Sequence, residues 1–277
     1  MSKQRRFLAL GSAAVLALGL TACGDDSGDG GSGGDGGGDT LQVGIKFDQP
    51  GLGFQEGDSY SGFDVDVANY VAEELGQEVE FVQAPSPQRE TLLETGQVDM
   101  IFATYSITDE RKEKVSFAGP YFIAGQDLLV AEDSDITGVE DLDGKRLCSV
   151  SGSTSAANVQ EEVPGVQLRE FDTYSECLDG LVNGQLDALT TDNTILAGYA
   201  AQEQYEGELK VVGNTFSEER YGVGIPKGDT ELCGQINDAL QKMVDDGAWQ
   251  EAVDANFGPA NFEVDEEVNP PEFDECS

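Results

Sequence analysis

The sequence predicts an α/β protein that consists of two lobes, each with parallel strands flanked by helices. Strand-like apolar runs and amphipathic helical patterns alternate along the chain after residue 40, as they do in α/β folds with parallel sheets. A unit that leads from a helix through a glycine into an apolar strand occurs at residues 93–99 (LETGQVD) and again at 181–187 (LVNGQLD). This internal similarity favours two lobes of the same plan over a chance match.

The individual elements follow from the periodicity of the apolar residues. The first half of the alternating region predicts strands at 41–47, 78–83 and 99–104, and helices at 64–75 and 89–95 that stop at glycines. The second half predicts strands at 145–150, 166–171 and 186–191, and helices at 153–160, 174–182 and 193–201. Because ligands bind beyond the carboxyl ends of parallel strands, we expect a cleft near Phe47, Thr104, Val150 and Asp192.

Residues 1–22 are expected to form an export signal. The segment has a basic start, an apolar run at 7–20 that is too short to span a membrane, and small residues before Cys23. We expect Cys23 to carry a lipid, with an ordinary secretory signal and a chance cysteine as the alternative. Residues 24–39 contain only Gly, Asp and Ser, which predicts that 23–39 is a flexible linker to the anchor.

The charge of the chain is strongly negative. The formal net charge is −39, and loss of the three basic residues of segment 1–22 would make it about −42. Such a charge argues against nucleic acid or an anionic membrane surface as a partner. An anionic ligand would therefore need basic residues gathered locally. Separately, no stretch after residue 40 resembles a membrane span.

Apart from Cys23, four cysteines remain, at positions 148, 177, 233 and 276. An exported chain meets oxidising conditions, so two disulfides are expected, and the count alone leaves three pairings open. Four free buried thiols are the alternative. A metal site is disfavoured because the sequence has no histidine and no CxxC spacing.

Three motifs carry a resemblance to a known family: GFDVDVANYVAEEL at 62–75, TYSITDER at 104–111 and VSFAGPY at 115–121. They resemble the family 3 (polar amino acid) solute-binding proteins of bacterial ABC transporters. The segment GIKFDQPGLG at 44–53 is similar to the actinobacterial glutamate-binding lipoproteins in particular.

The resemblance implies a two-lobed periplasmic-binding-protein-like (type II) fold with a discontinuous first lobe and two hinge strands. The first lobe would comprise 40–130 and 221–277, the second lobe 131–220, and the hinge would lie near 128–132 and 219–222. Cys148 and Cys177 would then share the second lobe, and Cys233 and Cys276 the first. The implied disulfides are Cys148–Cys177 and Cys233–Cys276.

The expected ligand is L-glutamate, with glutamine and aspartate as alternatives. A carboxylate prefers the planar, permanently charged fork of an arginine, and Arg111 fits this role, with a solvent-facing arginine in the charged run 109–114 as the alternative. An ammonium group needs a carboxylate, which Asp192 would supply, although Asp192 could instead only cap a helix. The resemblance adds the oxygens of Thr104, Ser106 and Thr108.

Further candidates lie at a predicted turn and beyond a strand. Ser153 and Thr154 stand between a strand and a helix, where free backbone amides favour anions, and a plain helix cap is the alternative. Lys46 would pair with the side-chain carboxylate of glutamate, with a surface lysine as the alternative. Arg89 is the second candidate for that carboxylate, with a solvated surface arginine as the alternative.

The resemblance also implies how the protein acts. It would be a monomer held at the outer face of the cell membrane by a lipid on Cys23, and it would deliver its amino acid to an ABC permease and its ATPase. We expect no cofactor and no metal. We also expect no enzyme activity, because an enzyme needs an acid or base poised in the cleft, whereas this sequence has no histidine and its ionisable cleft candidates are assigned to binding. A sensory receptor and a dehydratase-like enzyme on this fold stay open as alternatives.

Overall fold

The computed structural model describes residues 40–277, so the predicted export signal, Cys23 and the linker lie outside the described residues. Thirteen β-strands occur within 40–277: β1 (Thr40–Ile45), β2 (Asp48–Gln49), β3 (Gly53–Glu56), β4 (Ser59–Ser61), β5 (Glu78–Gln83), β6 (Met100–Ile101), β7 (Ser116–Ala124), β8 (Gln126–Ala131), β9 (Arg146–Val150), β10 (Gln167–Phe171), β11 (Ala188–Asp192), β12 (Leu209–Val211) and β13 (Glu219–Ile225).

The same part of the chain contains eight α-helices: α1 (Phe63–Glu74), α2 (Arg89–Glu94), α3 (Asp109–Lys112), α4 (Thr154–Glu162), α5 (Tyr174–Val182), α6 (Asn193–Ala200), α7 (Thr230–Asp245) and α8 (Ala248–Phe257). Helix α1 buries one apolar face that includes Val67 and Val71, as its periodicity predicts. Gly62 precedes it at φ +122°, and a Cβ there would lie 2.0 Å from the carbonyl oxygen of Leu52. The glycine of the GFD motif is therefore required by the close approach of two backbone segments.

Ten of these strands form two five-stranded sheets, which confirms the predicted two-lobed α/β class, and β2, β3 and β4 form a small antiparallel sheet. The first sheet has the order β5-β1-β6-β13-β7, and the second has the order β10-β9-β11-β8-β12. Three strands at one side of each sheet are parallel, but β13 runs antiparallel to β6 and β7, and β8 runs antiparallel to β11 and β12. The predicted parallel strands are present in both sheets, whereas the antiparallel strands β7, β13, β8 and β12 were not predicted.

The chain crosses between the sheets twice. It leaves the first sheet at Gly125, between β7 and β8, and returns through residues 212–218 to β13. The boundaries expected from the resemblance, at 130/131 and 220/221, fall inside β8 and β13, and the residue bounds of the lobes stay a prediction. Below, "first lobe" denotes β1–β7 with β13–α8, and "second lobe" denotes β8–β12 with α4–α6.

Two disulfides tie elements within the lobes together, and both predicted pairs are confirmed. Cys148 of β9 is bonded to Cys177 of α5, with a Cα–Cα distance of 5.6 Å. Cys233 of α7 is bonded to Cys276, with a Cα–Cα distance of 5.8 Å, and so fixes the C-terminal segment to the first lobe. Among residues 40–277, no helix has both the length and the apolar composition of a membrane span.

Candidate functional site

A polar cavity of about 240 Å³ lies between the lobes. The first lobe contributes Gln49, Ser86, Arg89, Thr104, Ser106 and Arg111, and the second contributes Ser153, Thr154, Ser155, Tyr174, Asp192 and Ile195. Seven of the nine residues predicted to bind the ligand are brought together here, whereas Lys46 and Thr108 are not part of the lining. A larger surface groove of about 1530 Å³ near residues 259–263 is lined by acidic, polar and apolar residues without any lysine or arginine, so it does not suit an anion.

The two lobes touch each other around this cavity. The hydroxyl of Tyr199 donates to the carbonyl oxygen of Asp48, and the backbone N–H of Tyr174 donates to Asp48 Oδ2 at 3.1 Å. A Cβ on Gly198 would lie 2.1 Å from the carbonyl oxygen of Pro50, so glycine is needed for this approach. The structure therefore shows the cleft in a closed arrangement.

Arg111 is held rigidly at the cavity by backbone groups of both lobes. Its Nη1 donates to Ser106 O at 2.8 Å, its Nη2 donates to Gly152 O at 3.1 Å, and its Nε lies 3.5 Å from Glu90 Oε1. A guanidinium has five N–H groups, so one on each Nη remains for a further acceptor. Thr108 accepts from the backbone N–H of Arg111 at 3.2 Å, which makes it the cap of α3 and not a residue of the cavity wall.

Arg89 lies beside Arg111, and both guanidinium groups cover the ring of Tyr105. The Cζ atoms stand 4.2 Å and 4.9 Å from the ring centroid. Arg89 donates to the carbonyl oxygens of Ser86 and Ala103 at 3.3 Å and 3.1 Å. Burial, followed by the charge of Arg111, lowers the pKa of Arg89 to about 10. Burial therefore disfavours the charged form of Arg89, and an anion in the cavity would stabilise that charge.

Lys46 follows β1 and is only 4% exposed, so the alternative of a surface lysine is wrong. Its Nζ stands 6.0 Å from the ring centroid of Tyr174, and it forms no ion pair with a carboxylate of residues 40–277. Burial, followed by the charge of Arg89, lowers the pKa of Lys46 to about 8. Of the twelve lysines and arginines after residue 39, Lys46, Arg89 and Arg111 alone are buried.

Asp192 faces the cavity from the second lobe. It precedes α6 but makes no capping hydrogen bond with its side chain, so the alternative of a plain helix cap is wrong. Its Oδ2 accepts from the hydroxyl of Tyr221 at 2.7 Å, while its buried Oδ1 has no hydrogen-bond partner in the described part of the chain. Burial, followed by the charge of Glu219, raises the pKa of Asp192 to about 8. A buried carboxylate oxygen without a partner, such as Oδ1, is a strong acceptor for a cationic donor.

The N-terminus of α4 forms another part of the cavity wall that the second lobe contributes. Ser153 caps the helix, because its Oγ accepts from the N–H of Ala156 at 3.1 Å. The amides of the first turn have no partner within the helix and carry its positive dipole end. Thr154 Oγ1 lies 3.4 Å from Ser106 Oγ across the cleft. The cap and the anion-binding hypotheses are therefore compatible at this turn.

Thr104 adopts a left-handed backbone conformation, with φ +45°. Asp64 of the GFD motif holds this conformation, since its Oδ2 accepts from the N–H of Thr104 at 3.0 Å and its Oδ1 accepts from the Tyr121 hydroxyl at 2.7 Å. Thr104 Oγ1 lies 3.3 Å from Gln49 Oε1, and Gln49 Nε2 is buried without a partner among residues 40–277. The motif thus supports a strained residue at the cavity.

Five lining residues were not predicted from the sequence: Gln49, Ser86, Ser155, Tyr174 and Ile195. Ser86 follows β5 and Tyr174 follows β10, so the rule that ligands lie beyond strand ends could have identified both. Of the strand-end residues that were named, Val150 is buried in the core and Phe47 packs against Tyr60 instead of lining the cavity.

Comparison with known proteins gives consistent matches. The family model for bacterial extracellular solute-binding proteins, family 3, matches residues 41–259. The glutamate-binding protein GluB of Corynebacterium glutamicum is 48% identical over 96% of this chain and 96% of that protein. The ABC transporter glutamine-binding protein GlnH of Bacillus subtilis is 38% identical over 84% of this chain and 89% of that protein. A solved ancestral arginine-binding protein bound to glutamine has a TM-score of 0.74 and 38% identity, covering 79% of this chain and 98% of that one.

Proposed function

The chain belongs to family 3 of the bacterial extracellular solute-binding proteins, and we propose that it is the receptor of an ABC importer that binds L-glutamate between its two lobes. One observation carries the proposal. Of the three buried basic residues among 40–277, Arg89 and Arg111 line the cavity and Lys46 lies with its Nζ 6.0 Å from the ring centroid of Tyr174, a residue of the cavity wall that also contains the unpartnered Oδ1 of Asp192. Glutamate carries two carboxylates and one ammonium group, which matches this arrangement. The similarity to GluB supports the choice of ligand.

The groups shared by all amino acids would bridge the lobes. The α-carboxylate accepts from the free N–H groups of Arg111 and from the backbone N–H of Thr154 at the start of α4, the helix that Ser153 caps. The ammonium group donates to Asp192 Oδ1, with oxygens of Thr104 and Ser106 as further acceptors. Because Arg111 and Asp192 stand on different lobes, a ligand with both charges stabilises the closed cleft.

Lys46 and Arg89 supply the positive charge for the γ-carboxylate. Both have a pKa lowered by burial, so a carboxylate beside them relieves a penalty that neutral glutamine leaves in place. Thr108, first expected to bind the ligand, acts as the cap that holds Arg111 in place. Aspartate, one methylene shorter, would reach this pair less well.

The place of action follows from the segment that precedes residue 40. We infer a lipid anchor on Cys23 that keeps the monomeric receptor at the outer face of the cell membrane, where an ABC permease and its ATPase receive the amino acid. The description of the family as extracellular supports this location. Deletion of the gene should abolish high-affinity glutamate uptake, and unchanged uptake would favour the sensory alternative.

Calorimetric titration of the purified full chain with each of the twenty amino acids tests the proposal. We expect glutamate to bind most tightly, with no change of the ligand after prolonged incubation. Tighter binding of glutamine would place the protein with the glutamine receptors. Absence of binding by every amino acid would refute the receptor function altogether, and turnover of the bound ligand would favour the enzyme alternative.

A further inference from the structure

Two residues of the hinge strand β13 support the second-lobe wall of the cavity from behind. Tyr221 contacts Asp192, and Glu219 contacts Thr154, yet neither Glu219 nor Tyr221 lines the cavity. We propose that Glu219 and Tyr221 are positioning residues through which the hinge strand controls how strongly Asp192 holds the ammonium group of a bound amino acid. The proposal rests on the function proposed above.

Tyr221 determines which oxygen of Asp192 is free. Its side chain is fully buried and stacks on Phe122 with a centroid distance of 6.0 Å, so the hydroxyl has little freedom. It donates to Asp192 Oδ2 at 2.7 Å and lies 2.9 Å from Thr194 Oγ1. Since Oδ2 is occupied in this way, Oδ1 remains as the acceptor that faces the cavity.

Glu219 places a second carboxylate behind the same wall. It is 3% exposed and accepts from Gln126 Nε2 at 2.8 Å, Ser217 Oγ at 3.0 Å and Thr154 Oγ1 at 2.9 Å, with Asn158 Nδ2 at 3.4 Å. It forms no ion pair with a lysine or arginine of residues 40–277. Neutral donors satisfy its hydrogen bonds but leave its charge uncompensated. Alongside burial, the charge of Glu219 raises the pKa of Asp192, and the hydroxyl of Thr154 donates its hydrogen bond to Glu219 Oε2.

The groups around Asp192 shift its pKa in opposite directions. Burial and the charge of Glu219 raise its pKa, whereas the hydrogen bond from Tyr221 and the charges of Arg111 and Arg89 lower it. The phenol of Tyr174, whose own pKa is raised to about 12, also faces Asp192. An ammonium group is held by the ionised carboxylate, so affinity should fall as the pH falls through the pKa of Asp192. Loss of the Tyr221 hydroxyl should raise this midpoint, and loss of the Glu219 charge should lower it.

The experiment measures glutamate affinity by calorimetry across pH for the full chain and its variants. Tyr221→Phe should move the acid midpoint of binding upward by about one pH unit, because a hydrogen bond to a charged group is lost. At pH values well below the midpoints of both proteins, the variant should therefore bind glutamate roughly tenfold more weakly than the unaltered chain. Glu219→Gln should move the midpoint downward. Opposite displacements cannot arise from a general loss of structure.

Matched controls and a second variant keep the test decisive. Tyr70→Phe removes a comparable tyrosine–aspartate hydrogen bond, from Tyr70 to Asp246 Oδ2 at 3.0 Å, at an exposed site away from the cavity, and should leave the midpoint unchanged. Should Tyr221→Phe fail to fold, as judged by circular dichroism, Glu219→Asp and Glu219→Gln suffice as a pair. The aspartate variant keeps the charge and should keep the midpoint above that of the glutamine variant.

The outcomes separate this inference from the proposed function. If Asp192→Asn binds glutamate as tightly as the unaltered chain, the role of Asp192 in the proposed function is wrong. If Asp192→Asn weakens binding but the midpoints of Tyr221→Phe and Glu219→Gln coincide with that of the unaltered chain, the inference alone fails. A displacement of both midpoints in the same direction also overturns it.

Discussion

Replacement of Lys46 by glutamine tests the origin of ligand preference. Lys46→Gln keeps the length and polarity of the side chain but removes the charge that we assign to the γ-carboxylate. Glutamate and glutamine are nearly isosteric, so the ratio of their affinities isolates this one interaction. The unaltered protein should prefer glutamate by at least about tenfold, and the variant should lose most of that preference while its affinity for glutamine changes little.

The expected size follows from the burial of Lys46. Its pKa lies at about 8 instead of 10.5, which corresponds to roughly 3 kcal/mol, since one pKa unit is about 1.4 kcal/mol. A carboxylate that pairs with the ammonium recovers part of this penalty, and a neutral amide does not. Recovery of about half gives the tenfold preference, and full recovery gives roughly a hundredfold preference. The preference should also decrease as the pH rises above about 8, because an unpaired Lys46 then loses its proton.

Competition calorimetry with glutamate and glutamine on both proteins measures the ratio directly. Lys145→Gln, at an exposed lysine, is the control and should behave as the unaltered protein. If Lys46→Gln retains the full glutamate preference while its melting temperature is unchanged, Lys46 does not read the γ-carboxylate. Arg89 would then be the remaining candidate, and Arg89→Gln would become the decisive variant.

Four further predictions concern the clamp, a disulfide, the anchor and the approach of the ligand. Arg111→Ala should weaken binding of every amino acid at least about thirtyfold, because the α-carboxylate loses its charged partner. Near-normal calorimetric affinity in a folded variant would contradict this. Replacement of Cys148 and Cys177 by serine should lower the free energy of unfolding by roughly 2–4 kcal/mol, measured by denaturant titration. Cys23→Ala should release the protein from the membrane fraction, and retention after normal processing would refute the anchor. Stopped-flow association of glutamate should accelerate with added salt as repulsion by the acidic surface is screened, whereas that of neutral glutamine should not.

Periodicity predicted the three parallel strands of each lobe and five of the eight helices within residues 40–277, because each buries one regular face; α3, α7 and α8 were not predicted. Strand 78–83 and helix 174–182 have the predicted bounds, and most other predicted elements differ by one or two residues. The same pattern did not predict the antiparallel strands β7, β8 and β13. They are buried on both faces along most of their length, so they show neither strict alternation nor a helical pattern. The small sheet β2-β3-β4 is built from strands too short to leave a pattern.

The candidate site was predictable where charge chemistry or strand order constrains it. Arg111 and Asp192 were named because an amino acid needs both partners and because the family resemblance favoured these two positions, and the structure brings them to one cavity. Thr108 illustrates the limit, since its place in the motif does not reveal whether the hydroxyl faces a ligand or the backbone of its own helix. Gln49 was missed because its position depends on the small sheet.

The negative charge of the whole chain and the positive charge of its cavity act at different distances. In physiological salt, surface charges are screened beyond about 8 Å, so the acidic exterior affects how often glutamate arrives but contributes little once it is enclosed. Lys46, Arg89 and Arg111 are buried, and salt screens them much less. Discrimination between a carboxylate and an amide should therefore persist at salt concentrations that abolish the effect on association rate. A charge on the exterior attracts or repels every anion alike, whereas buried cations placed beside the side-chain end of the ligand distinguish the γ-carboxylate of glutamate from the amide of glutamine.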